Sequence, residues 1–270
     1  MKINDLDLKE WKSIDVNTDS LWIIDKRDNS GVHNANYHGN FVPQIPRELM
    51  QRFTKKGDFV LDTFLGGGTT LIETQRLERN GIGIELQEEV AKQTKKLIKQ
   101  EAKENLVSDI YVGDSSNFEY EKFLEKYNIN NVQFIIYHPP YWDIIKFSEQ
   151  EKDLSNCPTL ENFLEKLEKT IVDSTKILQK GRYCAIVIGD KYEKGQVVPL
   201  GFYCMQLFQK HKMKLKAILV KNFNETKGKQ NQQALWKYRA LANNLYLFKH
   251  EYIFVFRKWG LNENYTRIYR

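Results

Sequence analysis

The sequence has little of what marks secreted, membrane-spanning or metal-binding proteins. Its 270 residues include only three cysteines, Cys157, Cys184 and Cys204, which are widely spaced. Separated cysteines in odd number argue against a disulfide framework or a cysteine-based zinc site, and they favour a reducing compartment. No run approaches the roughly 18 apolar residues that cross a bilayer, and the first residues lack the apolar core of a signal peptide. We therefore expect a cytoplasmic protein with no membrane segment and no metal.

The composition is that of a folded domain with a mild excess of positive charge. Charged residues make up 28% of the chain and hydrophobic residues 41%, which is typical of globular proteins. A chain of this length buries one large core, so we expect a single domain over residues 1–270. The net charge is +6, and a lysine-rich segment lies between Lys210 and Lys229. Such a segment favours a polyanionic partner, but a solvated surface explains it equally well.

Short apolar runs alternate with helical patterns along the chain. This alternation is typical of a parallel sheet covered by helices on both faces. Proline in a first turn and helical spacing predict helices over residues 46–56, 69–79, 87–104 and 160–178. The apolar runs predict seven strands, at residues 59–61, 82–84, 109–112, 132–137, 183–188, 215–220 and 252–256. We therefore predict an α/β fold with a seven-stranded, mostly parallel sheet.

A glycine-rich turn joins the first predicted strand to a helix, with the sequence Asp62-Thr-Phe-Leu-Gly-Gly-Gly-Thr-Thr70. Glycine lets the backbone approach a ligand closely, and an open helix N-terminus offers unpaired N–H groups. The turn is not a P-loop, since no Gly-Lys-Ser/Thr follows, and its glycines lack the spacing of the dinucleotide fingerprint. It predicts a ligand site, with a purely structural tight turn as the alternative.

Acidic residues follow each of the first three strands. Besides Asp62, Glu85 ends the second strand and Asp114 follows the third. An acid in the position of Glu85 accepts from the hydroxyls of a ribose, and one in the position of Asp114 accepts from an adenine amino group. A surface or helix-capping role is the alternative for Glu85, and an N-cap is the alternative for Asp114. Together the three acids suit a ligand that carries an amine, a ribose and an adenine.

The segment Tyr137-His-Pro-Pro-Tyr-Trp142 directly follows the fourth predicted strand. Its two prolines fix the backbone and remove two N–H donors, which leaves carbonyl acceptors. A base flipped out of a duplex can stack on Tyr141 while a proline carbonyl and the His138 ring accept from its amino group. The alternative is a rigid turn with an aromatic residue packed beneath it.

These motifs resemble those of the amino-methyltransferases of DNA, which modify adenine N6 or cytosine N4. The family's cofactor motif, Asp-Pro-Phe-x-Gly-x-Gly-Thr-Thr, is similar to residues 62–70, with Thr63 in place of proline. Its catalytic motif, Asp/Asn/Ser-Pro-Pro-Tyr, resembles residues 138–141, with His138 in the first place. Similarity at residues 38–46, 187–200 and 250–258 extends the resemblance over most of the chain.

The resemblance implies a single Rossmann-like methyltransferase domain that uses S-adenosylmethionine. By this resemblance, residues 1–45 include a segment that caps the cofactor. Asp62 and the glycine turn then hold the methionine part of the cofactor, Glu85 holds its ribose and Asp114 holds its adenine. The full set of cofactor residues that the resemblance implies is Phe41, Asp62, Thr63, Phe64, Gly66, Gly68, Thr69, Thr70, Glu85, Leu86, Asp114 and Ser115. The base-binding set is His138, Pro139, Pro140 and Tyr141. The base's amino nitrogen then attacks the sulfonium methyl group in line.

His138 departs from the family pattern. A carboxylate accepts with two oxygens, a neutral imidazole with one nitrogen and an imidazolium with none. We therefore expect activity to fall as the pH drops through the pKa of His138, which is ordinarily about 6.5. The departure leaves open an inactive methyltransferase-like subunit that only binds DNA.

Target recognition is expected from loops, because no large recognition domain fits between the motifs. The candidate DNA-recognition loops are residues 143–158 and 221–247, with a shorter one at 191–196; a mobile lid over the cofactor is the alternative for 221–247. Basic and aromatic side chains of these regions suit phosphates and bases. The expected nucleic-acid contacts are Trp142, Lys191, Lys221, Lys227, Lys229, Trp236, Lys237 and Arg239. Because so few residues are left for recognition of a target sequence, we also expect a homodimer or a partner subunit.

The target itself is less defined by the motifs. RNA bases and the glutamine amide of a protein offer similar planar amino groups, so an RNA amino-methyltransferase is an alternative. The lack of an appended RNA-binding module favours DNA. We expect site-specific methylation of DNA, with adenine N6 favoured over cytosine N4, as in a restriction–modification system.

Overall fold

In the computed structural model the described residues are 2–33, 37–223 and 233–260. The helices are α1 (Gln44–Phe53), α2 (Thr69–Arg76), α3 (Glu88–Ile98), α4 (Tyr120–Lys126), α5 (Leu160–Ile177), α6 (Leu200–Lys210) and α7 (Gln233–Ala242). The strands are β1 (Leu21–Trp22), β2 (Phe59–Asp62), β3 (Asn80–Glu85), β4 (Ser108–Val112), β5 (Val132–Tyr137), β6 (Leu178–Ile188), β7 (Lys191–Glu193), β8 (Gln196–Val198), β9 (Lys214–Asn222) and β10 (His250–Arg257). Short 3-10 helices lie at Leu8–Ser13, Ser115–Asn117, Trp142–Ile144 and Leu154–Asn156.

Eight of these strands form one sheet in the order β1-β9-β10-β6-β5-β2-β3-β4. Strand β10 runs antiparallel to both of its neighbours, and the other adjacent pairs are parallel. The predicted mostly parallel sheet is therefore confirmed, and all seven predicted strands lie in it. The eighth strand, β1, was not predicted because its two residues carry no periodic pattern. Strands β7 and β8 form a separate hairpin.

Apolar side chains cover both faces of the sheet, since successive residues of a strand point to opposite sides. In β5, Ile135 and Tyr137 belong to one cluster, which α4, α5 and α6 cover with residues such as Phe163. Phe134 and Ile136 belong to the other, which α1 covers with residues such as Leu49. Helices thus lie on both faces, as predicted.

Three predicted helix ends differ from the structure by three residues or more: α1 ends at Phe53 rather than at residue 56, and α3 and α2 also end early. Helix α3 ends at Ile98 rather than near residue 104, because the chain turns there and Glu101 forms an ion pair with Arg76, 2.6 Å from Oε2 to Nε. Helix α2 ends at Arg76 rather than Arg79, and Glu78 adopts a left-handed φ of 61° that returns the chain to β3. Tertiary contacts set the ends of α3 and α2. Helices α4, α6 and α7 were not predicted.

The N-terminal segment is tied to the helices beside the glycine turn. Glu73 of α2 is fully buried, and its Oε1 lies 2.5 Å from Nε2 of His33. Its Oε2 accepts a hydrogen bond from Nε of Arg47 on α1 at 2.8 Å. This buried charged cluster fixes the start of the chain against α1 and α2, just ahead of residues 37–42.

The three cysteines are buried as free thiols. Over residues 2–33, 37–223 and 233–260, no helix combines the length and apolarity needed to span a membrane. In the same ranges no three His, Cys, Asp or Glu side chains are grouped so that they could hold a metal ion.

Candidate active site

A cavity of about 930 Å³ opens at the carboxyl ends of β2, β3, β4 and β5. Ligands of doubly wound sheets bind at this edge. Its lining brings together most of the residues that the sequence motifs single out. Those residues are Phe41, Thr63, Phe64, Gly66, Thr69, Glu85, Leu86, Asp114, Ser115, His138, Pro139, Pro140 and Tyr141.

The glycine turn packs closely against residues 37–42. Gly66 has a φ of 52°, and a Cβ there would lie 2.7 Å from the Tyr37 ring. A Cβ on Gly67 would lie 2.6 Å from Nδ2 of Asn40, whose Oδ1 accepts from the Gly67 N–H at 3.3 Å. The turn therefore needs glycine both for its backbone conformation and for the approach of the N-terminal segment. The predicted capping segment thus lies directly on the turn.

The Glu85 side chain fixes the glycine turn through hydrogen bonds from backbone N–H groups. The side chain is buried, and its Oε2 accepts from the Gly66 N–H at 2.9 Å while Oε1 accepts from the Gln87 N–H at 2.8 Å. Burial raises the pKa of Glu85. Each carboxylate oxygen keeps a second lone pair. Glu85 can therefore fix the turn and still accept from the hydroxyls of a ligand, so the predicted ribose contact has the acceptors it needs.

Asp62, Gly68 and Thr70 are not among the residues that line the cavity. Asp62 is 1% exposed, and its Oδ1 accepts from the Phe64 N–H at 2.9 Å. Burial raises the pKa of this carboxyl group to about 6. Gly68, with a φ of 82°, is the N-cap residue that precedes α2. These residues support the turn from behind, and their direct contact with a cofactor stays a prediction.

Asp114 has the capping role that was its alternative. It precedes the 3-10 helix Ser115–Asn117, and its Oδ1 accepts from the Ser116 N–H at 2.8 Å. Because the residue also lines the cavity, the cap orients the carboxylate there without using all of its lone pairs. The Ser115 hydroxyl donates to the Thr63 carbonyl, which ties the end of β4 to the glycine turn.

The His138-Pro-Pro-Tyr141 segment forms another wall of the same cavity. The His138 ring packs on Phe41, with the ring centroids 4.6 Å apart. Burial lowers the pKa of His138 to about 4. This corrects the expectation of a loss of acceptor capacity near pH 6.5, because the imidazole stays neutral well below that pH. His138 therefore keeps one nitrogen lone pair for accepting a hydrogen bond in the neutral range.

Sequence reasoning missed Glu251 on β10. It is buried and lines the cavity, and its Oε2 accepts from the Tyr141 hydroxyl at 2.7 Å. Its Oε1 accepts from Nζ of Lys221 on β9 at 3.1 Å. The one available signal was an acid at the start of a predicted strand. That signal did not connect Glu251 with Tyr141, which is 110 residues away in the chain.

Three of the predicted nucleic-acid contacts are buried in the structure. Trp142 is buried, and its indole N–H donates to the Cys157 carbonyl at 2.9 Å. Lys191 is also buried, with Nζ 2.8 Å from Oε2 of Glu193 and 4.2 Å from the centre of the Trp142 ring. Lys221 is 5% exposed and paired with Glu251. Lys191 and Lys221 line the cavity, Trp142 packs beside it, and contact of these three side chains with nucleic acid stays a prediction.

Three of the other predicted contacts, Trp236, Lys237 and Arg239, lie on α7. Lys237 and Arg239 are exposed, and the guanidinium carbon of Arg239 lies 5.1 Å from the centre of the Trp236 ring. Trp236 also lines the cavity. Lys227 and Lys229 lie outside the described residues. Arg239 thus packs on an aromatic side chain that lines the cavity, and the contact of these residues with nucleic acid stays a prediction.

The predicted recognition loop at residues 143–158 packs over the cavity. The Phe147 ring stacks on Tyr37 of the capping segment, with centroids 6.2 Å apart. Leu154 is buried in the main core, and Asp153 caps the 3-10 helix that follows it. This loop therefore helps to enclose the cofactor side of the cavity, and its contact with DNA stays a prediction.

Comparison with known proteins finds a family match over the first part of the chain. Residues 1–96 match the model of a family described as DNA methylase. The Type II methyltransferase M.MjaII of Methanocaldococcus jannaschii is 31% identical over 116 residues, which are 36% of this chain and 21% of that protein. M2.DpnII of Streptococcus pneumoniae is 38% identical over 71 residues, 25% of this chain and 26% of that protein. The matches thus span about a quarter or less of the length of these relatives.

Solved structures agree with the fold. The cyclase SpnF has a TM-score of 0.55 at 13% identity, over 81% of this chain and 82% of that chain. TrmN from Thermus thermophilus has a TM-score of 0.51 at 14% identity, over 82% of this chain and 50% of that chain. These likenesses show a shared Rossmann-like α/β fold alone. The first 96 residues are therefore similar to the family described as DNA methylase, in agreement with the predicted resemblance.

Proposed function

We propose that the protein is a site-specific DNA methyltransferase that methylates an exocyclic amino group, with adenine N6 favoured over cytosine N4. One observation carries the proposal: His138-Pro-Pro-Tyr141 lines the same cavity as the glycine turn and Glu85. A group that binds a flipped base and a group that binds a nucleoside cofactor therefore face one space.

The residues of the cavity fit S-adenosylmethionine. Glu85 offers acceptors to ribose hydroxyls, Asp114 offers one to an adenine amino group, and Phe41 and Ile84 give apolar walls. When bound, this cofactor supplies an electrophilic methyl group on its sulfonium sulfur. Thr63, Phe64, Gly66 and Thr69 line the part of the cavity where its methionine portion would lie.

The catalytic segment would act on the base by accepting hydrogen bonds. The lone pair of an exocyclic amino nitrogen is delocalised into the ring, which makes the nitrogen a poor nucleophile. Acceptors on its N–H groups, from His138 and a proline carbonyl, favour a pyramidal nitrogen whose lone pair can attack. Tyr141 would hold the plane of the base. Catalysis would then come from positioning and electrostatics, without a covalent enzyme intermediate.

Two other functions use the same cavity. An RNA amino-methyltransferase would need the same catalytic segment, and an inactive subunit would bind DNA without turnover. DNA is favoured because the curated relatives are named Type II methyltransferases and the matched family is described as DNA methylase. An active enzyme is favoured because the half-buried His138, whose pKa is lowered by desolvation, keeps a neutral acceptor.

Incubation with methyl-labelled S-adenosylmethionine and DNA, RNA or a protein mixture separates these functions. The proposal expects label in DNA alone and none with a His138→Ala variant that still binds the cofactor. Label in RNA or protein alone would replace the proposed substrate. Binding of cofactor and DNA without any transfer would identify an inactive subunit.

A further inference from the structure

A chain of hydrogen bonds runs from the sheet to the catalytic segment. Lys221 and Glu251 are direct register partners on β9 and β10, and both are buried. From Glu251 the chain continues to the Tyr141 hydroxyl at 2.7 Å, and from that hydroxyl to Nε2 of His138 at 3.4 Å. Four side chains from three separate parts of the sequence therefore meet at one wall of the cavity.

The stability of the fold gives little reason for this series of buried hydrogen bonds. A buried ion pair is weak evidence for stability, because desolvation of both charges offsets their attraction. The tyrosine ring is nevertheless held closely, since a Cβ on Gly189 would lie 3.0 Å from Cε2 of Tyr141. The ring thus lies against a backbone position without a side chain, with its hydroxyl directed at Glu251. The position of that hydroxyl is fixed on two sides.

The hydrogen-bond roles follow from the number of protons. The Glu251 carboxylate, paired with Lys221, can only accept, so the single hydroxyl proton of Tyr141 lies between Tyr141 and Glu251. The Tyr141 oxygen can then only accept toward His138. A neutral imidazole has one N–H and one lone pair, so the proton of His138 must lie on Nε2 for this contact to be favourable.

We propose that Glu251 is a positioning residue for methyl transfer, which through Tyr141 holds His138 in the Nε2–H tautomer and leaves Nδ1 as the acceptor. This rests on the proposed function for its catalytic consequence, although the tautomer is a property of the protein alone. A carboxylate that fixes the tautomer and orientation of a neighbouring imidazole is a known device in hydrolases. Here a tyrosine hydroxyl relays the effect.

The Nε2–H tautomer would allow His138 to accept the proton that methyl transfer releases. The amino nitrogen forms a bond to the methyl carbon, the carbon–sulfur bond breaks, and its electron pair goes to sulfur. The nitrogen then carries a positive charge and releases one N–H proton. Nδ1 of His138 accepts that proton, and the resulting imidazolium donates from Nε2 to Tyr141, whose proton already points to the negative charge of Glu251. The fixed hydrogen bonds thus stabilise the protonated histidine without having to reorient.

The test is nitrogen NMR of the protein with isotope-labelled histidine at neutral pH, combined with kinetics. The chain has five histidines, so the His138 signals are assigned by their loss in His138→Gln. In the wild type we expect the Nε2–H tautomer. In Tyr141→Phe and in Lys221→Met/Glu251→Leu, which leaves no unpaired buried charge, we expect a mixture of tautomers. Glu251→Gln keeps an acceptor for the hydroxyl, and it should retain the wild-type tautomer.

The kinetic arm separates positioning from binding. For Lys221→Met/Glu251→Leu we expect kcat to fall about 10- to 100-fold, with the KM values for cofactor and DNA changed less than about threefold. Glu251→Gln should recover part of kcat. The matched control is Glu168→Leu, which removes a glutamate whose Oε1 lies 2.5 Å from Nε2 of His211, outside the cavity. It should change neither kcat nor the His138 signals.

The outcomes are distinct. An Nδ1–H tautomer in the wild type, or a tautomer unaffected by loss of Glu251 and Tyr141, would overturn the inference even if the enzyme is active. Unchanged kcat in the folded double variant would remove the catalytic role. If no methyl transfer is seen in the wild type while the NMR result holds, the proposed function fails and the tautomer assignment stands.

Discussion

Replacing Glu85 with glutamine tests the link between the glycine turn and the cofactor. The carboxylate accepts from the Gly66 N–H at 2.9 Å and from the Gln87 N–H at 2.8 Å. Glutamine has the same shape but only one acceptor oxygen, so one of these two N–H groups would face an amide NH₂ group. The variant therefore loses one charged hydrogen bond at the turn and one acceptor for the ligand.

The size of both effects can be worked out from the structure. A hydrogen bond to a charged group contributes about 1.5–3 kcal/mol. Since burial raises the pKa of Glu85, its ionised form already carries a desolvation cost that a neutral amide avoids. We therefore expect the free energy of unfolding to fall by only about 1–2 kcal/mol. Loss of one ribose contact should weaken S-adenosylmethionine binding about 10- to 100-fold.

Titration calorimetry with the cofactor and urea unfolding measure the two effects separately. Glu89→Gln on α3 is the matched control, because that side chain is exposed and makes no contact with the turn. It should leave both the affinity and the free energy of unfolding unchanged. A folded Glu85→Gln protein that binds the cofactor as tightly as the wild type would refute the reasoning about this carboxylate.

Three further perturbations follow from the structure. Because burial lowers the pKa of His138 to about 4, its imidazole is neutral above that pH. In a pH–rate profile, kcat should therefore show no inflection due to His138 between about pH 5 and 8, and it should fall near pH 4. An inflection near pH 6.5 that disappears in His138→Asn would contradict this prediction. Gly68→Ala places a Cβ at a φ of 82° and 2.5 Å from Cγ2 of Thr94, so it should lower the free energy of unfolding by about 2–4 kcal/mol in urea titrations. The control Gly195→Ala, at a φ of 82° with open space around its Cβ, should lower it by only about 1–2 kcal/mol. Equal losses in the two variants would show that the contact with Thr94 has no cost. Charge reversal at Lys237 and Arg239 should weaken DNA binding and reduce its salt dependence, as measured by fluorescence anisotropy. Charge reversal at the exposed Lys92 of α3 should change neither. Equal effects in the two variants would show that α7 does not contact DNA.

Local patterns were enough to predict the sheet and the cofactor edge of the cavity. Apolar runs of four to eight residues define the buried strands, and ligand-binding side chains follow the carboxyl ends of parallel strands. Glu85 and Asp114 were predicted in this way, and both line the cavity. Helix ends were less accurate, because contacts such as that between Arg76 and Glu101 are made by residues far apart in the chain.

The base-binding side of the cavity depends on contacts that no local pattern reveals. Glu251 reaches Tyr141 only because β10 returns between β6 and β9. Trp142 was predicted as a nucleic-acid contact, but it is buried and its indole N–H donates to the Cys157 carbonyl. Lys191 is paired with Asp143 of the segment 143–158 and with Glu193 of its own hairpin. Residue type and spacing indicate which chemistry is present, whereas burial decides which side chains remain available for a partner.

The most direct measurement is nucleoside analysis of DNA treated with the purified protein and S-adenosylmethionine. Unmethylated DNA is incubated with the wild type or with His138→Ala, digested completely, and analysed by mass spectrometry. We expect a single new nucleoside, N6-methyldeoxyadenosine in preference to N4-methyldeoxycytidine, from the wild type only. No methylated amino group after incubation with folded, cofactor-binding protein, or a methyl group on a ring carbon, would contradict the proposed function.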